Sequence, residues 1–275
     1  MKLYTSGCSW THGHNYDNPE HTYEYNGCVY KVDYKDPHVW VNHIAPHYDF
    51  VFNHALQGSG LERLIRRLLE FLEHVPQDEL DDWIFLLQIS QPNRQEFVTG
   101  EAMDLWHQVA FSRGNAGVKP KCIIAYDSKT DDPDLINAIL DAEVNTDTAL
   151  LRALEEVYSS HGPVHCHKQE LYTQFANLQV LVNILQKRKL KYLITAMDPW
   201  CHNPEYVVSQ IPSPDLLRMT RELDTDYFIK SSSELFPWSP TTQLYDPCGH
   251  LNVEGNKLFA NYIHTELKRY GYINE

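Results

Sequence analysis

A chain of 275 residues with 43% hydrophobic side chains is long enough to bury one sizeable core. Its 23 Lys and Arg against 37 Asp and Glu give a formal net charge of -14, which argues against nucleic acid or an anionic membrane surface as a partner, since both require clustered positive charge. No apolar run reaches the length of a membrane span, the N-terminus has no signal-peptide core, and the six cysteines are scattered without C-x-x-C spacing, so a cytoplasmic protein with reduced thiols is expected.

Lys2 to Ser6 is rich in residues that suit a pleated surface and predicts a first strand. It runs into Gly7-Cys8-Ser9-Trp10-Thr11-His12-Gly13, where the bounding glycines permit a tight turn and close approach by a ligand. Ser9 is the residue presented at the carboxyl end of the strand, the edge at which open α/β sheets bind ligands. Residues 14–46 carry many Tyr, His, Asn and Asp with little periodicity and read as a long aromatic-rich loop beside that turn. Tyr48 to Phe52 alternates as a second strand and is followed by a Gly-containing turn, Asn53-His54-Ala55-Leu56-Gln57-Gly58-Ser59-Gly60. Leu61, Leu64, Ile65, Leu68, Leu69 and Leu72 recur at helical spacing, and Trp83 to Ile89 is a continuous apolar run of the kind found in buried parallel strands. That strand ends in Ser90-Gln91-Pro92-Asn93-Arg94.

Residues 97–163 read as an insertion, mostly helical, with Lys121 to Tyr126 as a short strand and a helix capped by Thr146 or Asp147 that carries Leu150, Leu151, Leu154, Val157 and Tyr158. His161, His165, Cys166 and His167 are either a metal site, if the segment is extended, or a polar loop. Leu171, Phe175, Leu178, Leu181, Val182 and Leu185 predict an amphipathic helix whose end, Lys187-Arg188-Lys189, complements the helix dipole. Tyr192 to Met197 is a further buried strand, followed by a loop in which Trp200 and His202 either line a substrate pocket or close the core. Asp226 to Lys230 is a short last strand. Asp246-Pro247-Cys248-Gly249-His250 then leads into a helix with Leu258, Phe259, Tyr262, Ile263 and Leu267 on its apolar face.

Taken in this order, G-x-S-x-T-x-G at Gly7–Gly13, the turn containing Gly58, Asn93 after the third strand, and an Asp–His pair before the last helix resemble the four blocks of the SGNH (GDSL-like) hydrolases. Cys8 stands where that family has Asp. Gln91-Pro92-Asn93-Arg94 keeps only the Asn of the family's defining pair, and Asp246 lies four residues before His250 rather than three. The resemblance implies one domain over 1–275, a three-layer α/β/α fold with a mostly parallel, flavodoxin-like sheet and a partly helical insertion. It further implies a nucleophilic Ser9, a His250 base oriented by Asp246, and an oxyanion hole made by the N–H groups of Ser9 and Gly58 with the Asn93 amide. The imidazole is needed because a Ser hydroxyl is a poor nucleophile until its proton is taken.

No metal or organic cofactor is required by that chemistry. The expected substrate is a small-molecule or glycan ester, with hydrolysis, or acyl transfer if a sugar hydroxyl replaces water. Arg94 is expected to contact an anionic group of the substrate or to pair with an acid of the protein. Two alternatives stay open at this point: a module of the same fold whose triad has decayed and which binds a ligand or a protein, and a nucleophilic Cys8.

Overall fold

The first strand, β1 (Lys2–Ser6), is followed by a hairpin of β2 (Thr22–Tyr25) and β3 (Cys28–Lys31), a short helix α1 (Trp40–Ile44), strand β4 (Phe50–Asn53), helix α2 (Leu61–His74) and strand β5 (Trp83–Ile89). Next come β6 (Arg94–Thr99), β7 (Leu105–Phe111) and β8 (Cys122–Ser128), the 25-residue helix α3 (Pro163–Lys187), strand β9 (Lys191–Ala196), helices α4 (Pro214–Glu222) and α5 (Ser232–Leu235), and finally helix α6 (Val253–Arg269). The structure is a computed structural model. It describes residues 1–8, 11, 22–25, 28–31, 39–55, 59–92, 94–99, 105–111, 122–128, 163–203, 205–207, 213–237, 243–245 and 250–274, with backbone alone for the strands between 22 and 31 and between 94 and 128 and for 163–169.

The central sheet has the order β4-β1-β5-β9, and every pairing in it is parallel. Beyond β9, Ile194 forms a parallel bridge to Phe228; its N–H donates to the Tyr227 carbonyl at 3.0 Å, and Ile229 N–H donates back to Ile194 at 2.8 Å. The expected last strand at 226–230 is thus present as a single bridge. Numbered along the chain, the four strands lie 2-1-3-4, with the bridged segment at Phe228 beyond the fourth, the doubly wound order in which the chain reverses direction between the first and third strands. Here those strands are β1 and β5.

Side chains alternate between two apolar layers, as the pleat requires. Tyr4, Phe52, Phe85, Leu87, Ile89, Tyr192 and Ile194 pack with α2, α3 and α4, whereas Leu3, Val51, Ile84, Leu86 and Leu193 pack with α1 and α6. All seven residues of β5 are buried, which is why its sequence is continuously apolar apart from Gln88. The expected three-layer α/β/α architecture with a parallel sheet is what the chain forms. The predicted stripe of α3 from Leu171 to Leu185 is buried throughout, each residue at 2% exposure or less. Leu69 and Leu258, both assigned to apolar faces from spacing, are instead 38% exposed, because the buried stripes run through Leu64, Leu68 and Phe71 and through Phe259, Ile263 and Leu267.

Three expectations need correction. Residues 14–46 contain a hairpin and α1 in place of a featureless loop; β2 and β3 are joined by Asn26-Gly27, the dipeptide most favoured in two-residue hairpin turns. The described part of 97–163 is strand rather than helix up to Ser128: β6, β7 and β8 form an antiparallel three-stranded sheet, of which only the region of β8 was expected. The helix expected around Leu150–Tyr158 lies outside the described residues. Finally, α3 begins at Pro163, so His165, Cys166 and His167 sit in its first turns, with His161 outside the described residues. Proline is favoured in a first helical turn, and the backbone of 163–169 is helical, not the extended segment the metal reading required. Among the described residues no group of three or more His, Cys, Asp or Glu side chains is arranged to hold a metal ion, and no helix is long and apolar enough to cross a membrane.

Candidate active site

Ser9, Gly58, Asn93 and Asp246 lie outside the described residues, and Arg94 opens β6 with its backbone alone described, opposite Ala110 of β7. The described residues nearest them show how three loops are held at the carboxyl edge of the sheet.

The turn after β1 is closed by Thr11, whose N–H donates to the Cys8 carbonyl at 2.9 Å. Thr11 is fully buried. Its hydroxyl donates to Gln88 Oε1 of β5 at 2.6 Å, and its carbonyl accepts from Asn53 Nδ2 at the end of β4 at 2.9 Å. Asn53 Oδ1 in turn accepts from the Thr5 hydroxyl at 3.0 Å and the Ala55 N–H at 3.2 Å. Gly7 fits because a Cβ there would stand 2.5 Å from Thr11 Oγ1 and 3.0 Å from the Gln88 carbonyl oxygen. Cys8, at 0% exposure and in no disulfide, donates its thiol to Met197 Sδ at 3.3 Å. A thiol sealed in this way has no access to substrate, which removes the observation a Cys8 nucleophile would need.

The loop after β9 packs over the end of β5. Met197 N–H donates to the Ile89 carbonyl at 3.0 Å, Trp200 Nε1–H donates to the Ser90 carbonyl at 2.9 Å, and Gln91 donates to Asp198 at 3.3 Å. Trp200 is 3% exposed and meets the Phe175 ring of α3 edge-on. Of the two roles the sequence left open for it, core closure is the one its packing fits. His202 lies beside it and is half-buried, with Nε2 3.1 Å from Glu234 Oε2. Burial holds the His202 imidazole below its usual range despite the Glu234 charge. Burial also raises Glu234, but the Ser231 hydroxyl and N–H together with His202 outweigh it and bring its carboxyl below the usual range. Ser231 and Glu234 form a reciprocal capping box at the start of α5. Burial drives the neighbouring Cys201 thiol strongly upward, so it stays protonated.

The entry to α6 carries His250. Tyr245 and Leu251 form an antiparallel bridge around it, and Asn252 N–H donates to the Leu244 carbonyl at 2.9 Å. Asn252 then caps α6 by accepting from Gly255 N–H at 3.0 Å, and Asn256 Nδ2 donates to the Leu251 carbonyl at 2.7 Å. Gly255 is required at its position: a Cβ would meet the Leu244 carbonyl at 2.5 Å. His250 itself is half-buried. The Tyr245 hydroxyl donates to the Phe236 carbonyl, and burial, followed by the Asp198 charge, raises it above its usual range.

Thr11 is a fixed position of the G-x-S-x-T-x-G block to which the sequence alone gives no role, and nothing in the sequence names Asn53 and Gln88 as its partners. The available signal was Gln88, a lone polar residue in an apolar strand, since a buried amide must find a partner. Glu234 is marked by the S-x-x-E spacing of a capping box from Ser231, whereas Met197 had no comparable signal.

No family model matches the chain, and no curated protein matches it. Among solved structures it is similar to a protein of Parabacteroides merdae provisionally designated a GDSL-like lipase, with 13% identity, a TM-score of 0.39, and coverage of 94% of this chain and 92% of that one.

Proposed function

We propose that this chain is a serine ester hydrolase acting through Ser9 and His250. The observation that carries the reading is the coincidence of the sequence blocks with the topology. The blocks Gly7–Gly13, Asn53–Gly60 and Ser90–Arg94 lie at the carboxyl ends of β1, β4 and β5, three adjacent strands that include the switch point, and His250 stands two residues before Asn252, the N-cap of α6. Loops at that edge are where doubly wound sheets bind their ligands.

In the proposed reaction His250 takes the proton of the Ser9 hydroxyl as Ser9 attacks the ester carbonyl. The Ser9 and Gly58 N–H groups and the Asn93 amide donate to the oxygen that becomes negative. His250 then passes its proton to the departing alcohol, and water, activated by the same imidazole, releases the acid and restores Ser9. Asp246 accepts from the other nitrogen of His250 and fixes the tautomer. The aromatic-rich residues between 14 and 46 make an O-acylated glycan the favoured substrate class, with Arg94 reading an anionic group on it.

The test is reaction with an organophosphonate, which phosphonylates only an activated Ser, followed by mass spectrometry of the labelled peptide. Labelling at Ser9 that His250→Ala abolishes supports the reading. A folded protein with no label on Ser9 defeats it in favour of a binding module.

A further inference from the structure

The Ser9 turn is tied to every neighbouring strand end by the residues that flank Ser9. Thr11 reaches β5 through its hydroxyl and β4 through its carbonyl, while Cys8 reaches the end of β9 through the Met197 sulfur. All of these contacts are buried or half-buried, and Gly7 leaves no room for a side chain between Thr11 and the β5 backbone. Gln88 is 1% exposed, and its Nε2 has no hydrogen-bond partner among the described residues, so Thr11 is what occupies the polar capacity of this amide. Retaining such an under-satisfied amide in the central strand costs free energy that an apolar residue would avoid. Its retention is explained if holding Thr11 matters more than the packing lost.

We infer that Thr11 is the positioning residue of the nucleophile turn, with Gln88 as its anchor in β5. This rests on the hydrolase reading of Ser9. The bond from Thr11 Oγ1 to Gln88 fixes the turn relative to β5, whose following loop carries Asn93, and the bond from Asn53 fixes it relative to β4, whose following loop carries Gly58. Nucleophile and oxyanion donors are thereby referred to one rigid frame. Catalysis is sensitive to such placement: a shift of about 1 Å costs about 10²-fold in rate.

The experiment compares the wild type with Thr11→Val, Thr11→Ser, Gln88→Met and the Thr11→Val/Gln88→Met double variant, reading kcat and KM on a short-chain ester, the rate of Ser9 phosphonylation, and the melting curve. Val keeps the shape of Thr without the donor, and Ser keeps the donor. Thr11→Val is expected to lower both kcat and the phosphonylation rate about 10- to 100-fold with KM little changed. Thr11→Ser should restore most of that loss. Gln88→Met should match Thr11→Val, and the double variant should be little worse than either, because both remove one bond. A cooperatively melting Thr11→Val protein with wild-type rates overturns the inference, as does a Thr11→Ser variant no better than Thr11→Val. Should Thr11→Val fail to fold, Gln88→Met reads the same bond from the other side, and wild-type rates in it are equally fatal. If the wild type itself is not labelled at Ser9, the hydrolase reading falls and this inference with it. A labelled wild type whose variants react equally fast removes the positioning role alone.

Discussion

His202 Nε2 stands 3.1 Å from Glu234 Oε2, and that carboxylate also accepts from the Ser231 N–H and hydroxyl, each at 2.7 Å. The pair ties the loop after β9 to the start of α5. Both groups have folded-state pKa values below their ordinary ones of 6.5 and 4.5. For His202 the unfolded chain takes up a proton first as pH falls below 6.5, so stability decreases from there downward through the folded value. For Glu234 the stabilising contribution is present above 4.5 and is lost as pH falls through the depressed folded value. The two act in the same direction. Thermal melts from pH 8 to pH 4 should therefore show His202→Gln losing less stability on acidification than the wild type. An identical pH dependence in the two proteins would contradict this.

Gly7→Ala should damage the nucleophile turn more than an ordinary turn substitution. The added methyl meets Thr11 Oγ1 at 2.5 Å and the backbone oxygen of Gln88 at 3.0 Å, and backbone cannot give way cheaply. A loss of about 1–3 kcal/mol in unfolding free energy is expected, as for overpacked cores, and with it loss of esterase activity. Denaturant unfolding and an ester assay check the two together.

Gly255→Ala addresses the other side of the site. Its methyl meets the Leu244 carbonyl at 2.5 Å and Leu251 Cδ2 at 3.0 Å, and must push the loop bearing His250 away from α6. Activity should fall at least tenfold, with about 1–3 kcal/mol of stability lost. Unchanged activity would show that the entry to α6 tolerates displacement, against a catalytic His250.

Trp200→Phe separates the two roles open to that side chain. The indole is 3% exposed and donates to the Ser90 carbonyl, so its loss should cost about 1–2 kcal/mol of stability while leaving KM unchanged. A raised KM with unchanged melting would instead put Trp200 in contact with substrate.

How far the fold could be read from the sequence depended on burial. β5, buried on both faces, announces itself as an unbroken apolar run, and its predicted limits coincide with the strand. α3 kept a full apolar stripe because it lies across the sheet. The hairpin of β2 and β3 was overlooked because its strands are short and mixed in polarity, although Asn26-Gly27 was a usable turn signal. β6 to β8 form a separate sheet with His107, Gln108, Glu96 and other polar residues inside the strands, which blurs the alternation. α4 and α5 carried start signals that were legible, Ser213-Pro214-Asp215 and the Ser231–Glu234 box. Ser9, Gly58, Asn93, Asp246 and His250 came from short motifs. The residues that hold their loops, Thr11, Asn53 and Gln88, are joined only by the folding of three strands from distant parts of the chain, and no local pattern records that.

The most direct measurement of the central claim is kcat on a short-chain ester for the wild type, Ser9→Ala, His250→Ala and Asp246→Asn, each verified as folded by a cooperative melt. Ser9→Ala and His250→Ala should each lose about 10⁴-fold or more, Asp246→Asn about 10⁴-fold, and combinations should be little worse than single variants, since members of a triad act as one unit. Full activity in Asp246→Asn would reduce the triad to a Ser9–His250 dyad. A folded Ser9→Ala protein retaining more than about a tenth of wild-type kcat, against the ~10⁴-fold loss expected of a missing nucleophile, would contradict the account.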